Sequence, residues 1–157
     1  MNALPPTRHC FVCGIHNPAG FQIHLETDRK VVETRFRFRR EWCGFPDTVH
    51  GGLIATVLDE VMVWAVGVAS GHLTYCAELE VRYQRPARPE SDVVARGELV
   101  TNRRNRLFLA SASLLDSEGT LLSESTGKYL PVPGELHPRM FADFVGDPGT
   151  VFRPPDP

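Results

Sequence analysis

The sequence predicts an α+β fold in which an antiparallel sheet wraps around one long buried helix. Residues 50–69 contain no proline and are apolar on almost every side, which is typical of a helix enclosed by the rest of its domain. Segments with alternating apolar and polar residues lie on both sides of it, as expected for half-buried strands. One helix cannot cover both faces of such a sheet, so we expect dimerisation to cover the remaining apolar surface.

The order of the elements follows from these alternations and from the turn residues between them. Three regions are predicted: an irregular segment at 1–20, the folded domain at 21–131 and a proline-rich tail at 132–157. A short helix is expected around 138–145 and a frayed end at 154–157. The predicted strands are 21–26, 31–39, 74–85, 92–101, 105–115 and 120–130.

Composition excludes several classes of partner. The 157 residues carry 17 basic and 19 acidic side chains, giving a net charge of −2. We therefore expect no nucleic acid partner, because phosphate binding calls for a strong basic excess. No uninterrupted apolar run reaches the ~20 residues of a membrane span, so we expect no membrane partner. Two prolines stand in the first ten residues, where a signal peptide would be apolar, and we predict a cytoplasmic protein.

Four cysteines fit that compartment if they stay reduced. Cys10 and Cys13 form a C-x-x-C pair, and His9, His16 and Cys43 could add ligands for zinc. Structural zinc usually uses two well-spaced ligand pairs, and the sequence has no second C-x-x-C or H-x-x-x-H. We favour a metal-free role for the pair and keep zinc as the alternative.

Two acids, Asp59 and Glu60, lie inside the apolar helix. A buried carboxylate without partners is costly, so each should either reach solvent or serve a function. On a helix, the residues three, four and seven positions before Asp59 are Thr56, Ala55 and Gly52, which are small enough for a ligand to approach. The corresponding face of Glu60 is bulkier. Asp59 is therefore the better candidate for contact with a ligand.

The helix begins with His50, Gly51 and Gly52. Free backbone N–H groups at a helix start, together with glycines that permit close approach, suit an oxyanion. Gly51 and Asp59 are eight residues apart, or ~12 Å along one helix. If both act on one substrate, the site must combine the helix start of one subunit with Asp59 of another.

The stretch 49–60 (VHGGLIATVLDE) resembles the signature of hotdog-fold thioesterases of the PaaI-type family. The segments 10–14 (CFVCG), 17–20 (NPAG) and 78–86 (ELEVRYQRP) are similar to other parts of that family, so the resemblance covers 10–131. It implies a hotdog fold, a homodimer or homotetramer, and hydrolysis of acyl-coenzyme A thioesters without metal or cofactor.

The resemblance also implies roles for individual residues. Asp59 would act as nucleophile or general base, the Gly51 N–H would polarise the thioester carbonyl, and His50 would be structural or would orient the thioester. Candidates for further substrate contacts are Gly52, Thr56, Glu60 and Cys76.

Two positions depart from the family pattern. Asp47 stands where relatives often have glycine, which adds an acid near the site, and Cys76 stands where threonine or serine is common. Coenzyme A also needs partners for its phosphates, and arginine suits them because its planar fork makes paired hydrogen bonds. Arg88, Arg103 and Arg104, in loop-like stretches, are the candidates.

Two other functions remain open from the sequence. The first is a non-catalytic module of the same fold that binds or senses acyl-coenzyme A. The second is a zinc-stabilised interaction domain built on Cys10 and Cys13. The sequence does not name the acyl group, since a methylene more or less changes binding by only ~1–3 kcal/mol.

Overall fold

A computed structural model describes residues 1–152 of the chain. Over this range the strands are β1 (Asn2–Ala3), β2 (Glu26–Thr27), β3 (Val31–Arg37), β4 (Cys43–Phe45), β5 (Thr48–Val49), β6 (Thr74–Tyr83), β7 (Asp92–Arg103), β8 (Leu107–Asp116) and β9 (Leu121–Pro131), and the α-helices are α1 (Gly51–Ser70) and α2 (His137–Phe141).

Seven of these strands form one antiparallel sheet in the order β1-β2-β3-β7-β8-β9-β6, and β4 and β5 form a separate small ribbon. Helix α1 contacts β3, β6, β7, β8 and β9, so the sheet curves around it. The predicted fold, an antiparallel sheet wrapped around one long helix, is confirmed. The long strands and α1 lie within two residues of their predicted bounds.

Helix α1 begins and ends as its local sequence dictates. The His50 side chain caps the first turn, and Gly71, with a φ of 77°, ends the last turn in the left-handed region that favours glycine. By length and composition α1 could cross a membrane, with a mean hydropathy of 1.7, but half of that window is buried inside the molecule. Burial of this extent is typical of a helix in the core of a domain.

A close approach of backbones fixes α1 against the sheet. A Cβ atom at Gly97 on β7 would lie 2.5 Å from the carbonyl oxygen of Val61. Glycine at this position therefore lets the middle of the helix rest directly on the strand, which sets the depth at which the side chains of α1 enter the core.

The prediction of a strand at 21–26 is wrong, because the backbone of this segment is not extended throughout. Its side chains nevertheless alternate between buried and more exposed positions as expected. Phe21, Ile23 and Leu25 are buried. Gln22, however, has a φ of 53°, which interrupts the extended conformation, and only Glu26 and Thr27 pair with the sheet. The N–H groups of Phe21 and Ile23 instead donate to carbonyls of the N-terminal segment.

Both terminal regions pack on the domain and cover part of α1. Val12 and Cys13, in the segment predicted to be irregular, are buried in the core. Trp64 of α1 packs against Phe144 and Phe152, with ring centroids 5.9 Å and 5.6 Å away. The chain's own ends therefore cover part of the apolar surface that the sequence analysis expected a second subunit to cover. The predicted helix at 138–145 is present as the shorter α2, which ends at Phe141. The predicted frayed end at 154–157 lies outside the described residues.

Candidate active site

Asp59 lies in the middle of α1 and faces β9. The hydroxyl of Tyr129, which is wholly buried, donates a hydrogen bond of 2.8 Å to Asp59 Oδ1. Space for the tyrosine ring comes from Gly127, where a Cβ would lie 2.6 Å from the ring. Asp59 is therefore an acid inside an apolar helix. Its carboxylate accepts from an uncharged donor, and no Lys, Arg or His nitrogen of residues 1–152 lies within 4 Å of it.

Cys76 lies next to this pair, because β6 and β9 place it directly opposite Tyr129. Desolvation, followed by the negative charge of Asp59, raises the pKa of Cys76 to about 11. The same two causes raise the pKa of Tyr129. Both groups stay protonated at neutral pH, so they can serve as hydrogen-bond donors beside Asp59. Sequence reasoning missed Tyr129, although its inward position on the last strand could have indicated it.

The start of α1 leaves one backbone donor free. His50 Nδ1 accepts a hydrogen bond of 3.0 Å from the Gly52 N–H, and the His50 carbonyl accepts those of Leu53 and Ile54. Among the described residues, the Gly51 N–H has no acceptor. Of the N–H groups of residues 51–54, only that of Gly51 lacks an acceptor within residues 1–152, so it is the one available to a ligand.

An open groove of about 380 Å³ lies at this free donor. Tyr83, at the end of β6, donates a hydrogen bond of 2.8 Å to the Gly51 carbonyl and so lies against the helix start. Phe45, Ile54 and Pro86 contribute apolar walls, and this shape and lining suit a small organic ligand. Tyr83 is a second residue that sequence reasoning missed, because 32 residues separate it from Gly51.

One chain does not bring Gly51 and Asp59 together. Both lie on α1, ~12 Å apart along its axis, and Asp59 does not line the groove at Gly51. Thr56, a predicted substrate contact, donates its hydroxyl to the Gly52 carbonyl at 2.8 Å, while Gly52 itself is exposed. A single subunit therefore holds two separate half-sites.

Glu60 faces a different side of α1 from Asp59. Trp64 Nε1 donates to Glu60 Oε1 at 2.9 Å, and the Cys10 thiol lies 3.7 Å from both carboxylate oxygens. Desolvation by burial, with the nearby Cys10 second, raises the pKa of Glu60 to about 8. A hydrogen bond with Cys13 is the main cause that lowers the pKa of Cys10 to about 6. The structure places Glu60 under the N-terminal segment, away from the hydroxyl of Tyr129.

The five residues considered for zinc do not come together. The exposed His9 pairs with the half-buried Asp143, and His16 is exposed on the surface. Among residues 1–152, the group of His, Cys, Asp and Glu ligand atoms lying within 4.8 Å of one another consists of Cys10, Cys13 and Glu60. Cys43 is therefore outside the cluster, and Glu60, which the sequence analysis did not consider as a ligand, is inside it.

The predicted phosphate-binding arginines lie at two ends of the sheet. Arg88 precedes β7 and Arg103 ends it, so roughly 37 Å of strand separates them. Arg104 occupies the tight β7–β8 turn with a φ of 54°. Within one chain these side chains cannot share one ligand. Arg85, by contrast, lines the groove at Gly51.

Asp47 lies in the turn between β4 and β5 with a φ of 55°. This is the left-handed region that favours glycine, which gives a physical reason why glycine suits this position. The exposed carboxylate lies 3.4 Å from Arg40.

Comparisons with known proteins agree with this architecture. A family model described as the thioesterase superfamily matches residues 47–123, which include α1 and strands β6 to β8. The acyl-coenzyme A thioesterase THEM4 of Bos taurus is 30% identical over 127 residues, covering 80% of this chain and 52% of that protein. The chain thus spans about half the length of this curated relative.

Solved structures share the fold. An X-ray structure of a protein from the thioesterase superfamily is 27% identical, with a TM-score of 0.65 over 71% of this chain and 85% of that chain. The E. coli PaaI protein is 12% identical, with a TM-score of 0.66 over 71% and 80% of the two chains. A Streptococcus mutans protein solved bound to acetyl CoA is 14% identical, with a TM-score of 0.64 over 70% and 88%. The chain thus has the hotdog fold, and its residues 47–123 match the thioesterase superfamily.

Proposed function

We propose that the protein hydrolyses acyl-coenzyme A thioesters to the free acid and coenzyme A, at sites shared by two subunits. The observation that carries the proposal is the pair of half-sites on α1: an acid hydrogen-bonded to Tyr129, and a free N–H at Gly51. The name of the bovine relative and the acetyl CoA bound to the S. mutans neighbour support the substrate class.

Strand β6 offers the surface for a second subunit. It lies at the edge of the sheet, pairs only with β9 among the described residues, and has eight of its ten residues exposed. Tyr75 and Tyr83, which are 47% and 52% exposed, add large rings to this edge. A long unpaired edge strand is a template for pairing with another chain, and pairing with its own copy closes the edge under two-fold symmetry.

Antiparallel pairing of β6 with its copy would join the two half-sites. Tyr83, which contacts Gly51, lies at one end of the strand, and Cys76, beside Asp59, lies toward the other. A two-fold axis passing between Leu79 and Glu80 sets residues 83 and 76 of different subunits opposite each other. The Gly51 N–H of one subunit then approaches Asp59 of its partner, as the sequence analysis expects.

In this site the acyl carbonyl accepts a hydrogen bond from the Gly51 N–H, which stabilises the oxyanion as it forms. Asp59 either attacks the carbonyl carbon, giving a mixed anhydride that water then hydrolyses, or removes a proton from the attacking water. In both routes the C–S bond breaks and the thiolate of coenzyme A leaves and takes up a proton. Tyr129 holds Asp59 in position.

A panel of aliphatic and aromatic acyl-coenzyme A thioesters, with release of the free thiol followed by a chromogenic disulfide, tests the function. We expect turnover of at least one class. Tight acyl-coenzyme A binding without thiol release across the panel would contradict hydrolysis and favour the non-catalytic binding module.

Mixing two inactive variants tests the shared site. Asp59→Asn and Gly51→Pro chains damage different halves, so a mixed dimer keeps one intact site of its two. Because half of randomly assembled dimers are mixed, activity should recover to about a quarter of the wild-type value. Activity that stays at the level of the separate variants after subunit exchange would contradict a site built from two chains.

A further inference from the structure

Cys10, Cys13 and Glu60 form a compact cluster on a side of α1 that the proposed hydrolysis does not use. One sulfur or oxygen atom of each residue lies within 4.8 Å of the others. Cys13 is buried, and the other two residues are partly buried. The cluster joins the N-terminal segment to the core helix across fifty positions of sequence.

The spacing of these atoms is that of ligands around one small ion. Zinc binds thiolate sulfur at about 2.3 Å and carboxylate oxygen at about 2.0–2.2 Å, so two such ligands at a tetrahedral angle lie roughly 3.5–3.7 Å apart. Cys10 Sγ lies 3.7 Å from both oxygens of Glu60. Two thiols and a carboxylate are also ligand types that zinc prefers.

The surroundings orient these atoms as outer groups orient metal ligands. The Val12 N–H donates to Cys10 Sγ at 3.3 Å, and Trp64 Nε1 donates to Glu60 Oε1 at 2.9 Å. The Gly14 N–H donates to the Cys10 carbonyl at 3.0 Å, and a Cβ at Gly14 would lie within 3 Å of Cys10 backbone atoms. Glycine here permits the tight turn that aims both sulfurs at Glu60.

The lack of a positive charge near Glu60 also favours a bound cation. Within residues 1–152, no nitrogen of Lys, Arg or His lies within 4 Å of the Glu60 carboxylate. Burial raises the pKa of Glu60, so its ionised form is costly here, and a divalent ion would supply the positive charge that stabilises the carboxylate.

We propose that Cys10, Cys13 and Glu60 bind one Zn²⁺ ion, with solvent as the fourth ligand. On binding, the protons that the two cysteines and Glu60 still hold pass to solvent, and two Zn–S bonds and one Zn–O bond form. The ion holds the N-terminal segment on α1 and takes no part at Asp59. The sequence analysis favoured a metal-free pair because it found no second C-x-x-C or H-x-x-x-H. The third ligand is instead Glu60, fifty positions along the chain from Cys10.

Metal analysis of protein purified under reducing conditions tests the site directly. We expect about one zinc per chain in the wild type, and loss of the metal in the Cys10→Ser, Cys13→Ser double variant. Glu60→Gln should weaken zinc affinity at least about tenfold in a competition with a chromogenic chelator. Cys43→Ser, which removes a cysteine outside the cluster, should keep the full zinc content.

Cobalt reconstitution of the wild type decides the matter even if the cysteine variants fail to fold. Co²⁺ bound by thiolates gives a near-ultraviolet charge-transfer band, and four-coordinate Co²⁺ gives intense visible bands. Reduced protein that shows neither band and retains no zinc would overturn the proposal, as would zinc retained in the folded double variant. Metal content is independent of turnover, so an inactive protein that binds zinc would overturn only the proposed function.

Discussion

Asp59 and Glu60 are neighbours in sequence and opposites in environment. A helix rotates by about 100° per residue, so the two carboxylates of α1 leave the helix toward different parts of the molecule. Asp59 meets the hydroxyl of Tyr129 beside the open edge of the sheet. Glu60 meets Trp64 and Cys10 beneath the N-terminal segment. Two adjacent acids can therefore hold unrelated roles, one in chemistry and one in joining chain segments.

The two sides of α1 also differ in how they are closed. The terminal regions of the same chain cover the side of Glu60 and Trp64. The side of Asp59 lies beside β6, whose outer edge is unpaired among the described residues. A substrate, or a second subunit, can thus reach Asp59, whereas Glu60 is closed in by its own chain.

The largest expected effect is that of Asp59→Asn. This change keeps volume and removes the charge needed for attack or proton removal, so kcat should fall by ~10²–10⁴-fold while the protein stays folded. Steady-state kinetics and thermal unfolding measure both quantities. Asp47→Asn makes the same chemical change in an exposed turn and should leave kcat near the wild-type value. If Glu60→Gln abolishes turnover and Asp59→Asn does not, the two acids have been assigned the wrong way round.

Gly51→Pro should be the next most damaging change. Proline is tolerated at the first position of a helix, and His50 already has the extended conformation that proline requires before it. The substitution therefore removes the free N–H, and kcat should fall by ~10²–10³-fold.

Gly51→Ala is the matched control, because it adds a Cβ at the same distance from Tyr83, 3.3 Å, and keeps the N–H. Its kcat should stay well above that of the proline variant. Equal losses in the two variants would assign the effect to crowding against Tyr83 and not to the oxyanion.

Tyr129→Phe should have a moderate effect. It removes the donor that positions Asp59 and keeps the buried ring, so kcat should fall about tenfold with little change in KM. Tyr75→Phe, on the exposed edge of β6, is the control and should match the wild type. A rise in KM with unchanged kcat would show that Tyr129 binds substrate and does not position the acid.

Trp64→Phe should leave chemistry intact and lower stability. It removes the hydrogen bond to Glu60, which should reduce the free energy of unfolding by about 1–3 kcal/mol in a denaturant titration. Trp42→Phe is the control, since Trp42 packs against aromatic rings in a similar way but donates no indole hydrogen bond within residues 1–152. A tenfold loss of kcat in Trp64→Phe would mean that the two sides of α1 are not independent.

The local sequence pattern was enough to predict the main secondary-structure elements of the molecule. The central helix, the long strands and the half-site residues His50, Gly51 and Asp59 all depend on periodicity and spacing within short windows. Such windows carry the information because burial of one helix face or strand face repeats every few residues. The exception, the segment at 21–26, kept its side-chain alternation and lost its backbone pairing to a single left-handed residue, Gln22.

The sequence by itself determined the fold class and the bounds of α1, and it predicted the acid and the glycine that the family resemblance implied. Tertiary structure alone decided that Tyr129 donates to Asp59, that Tyr83 lies on Gly51, and that Glu60 meets Cys10. It also showed that the chain's own ends cover part of α1. The physical reason is that these contacts join positions 32 to 88 residues apart, where no local period reports which side chains will meet.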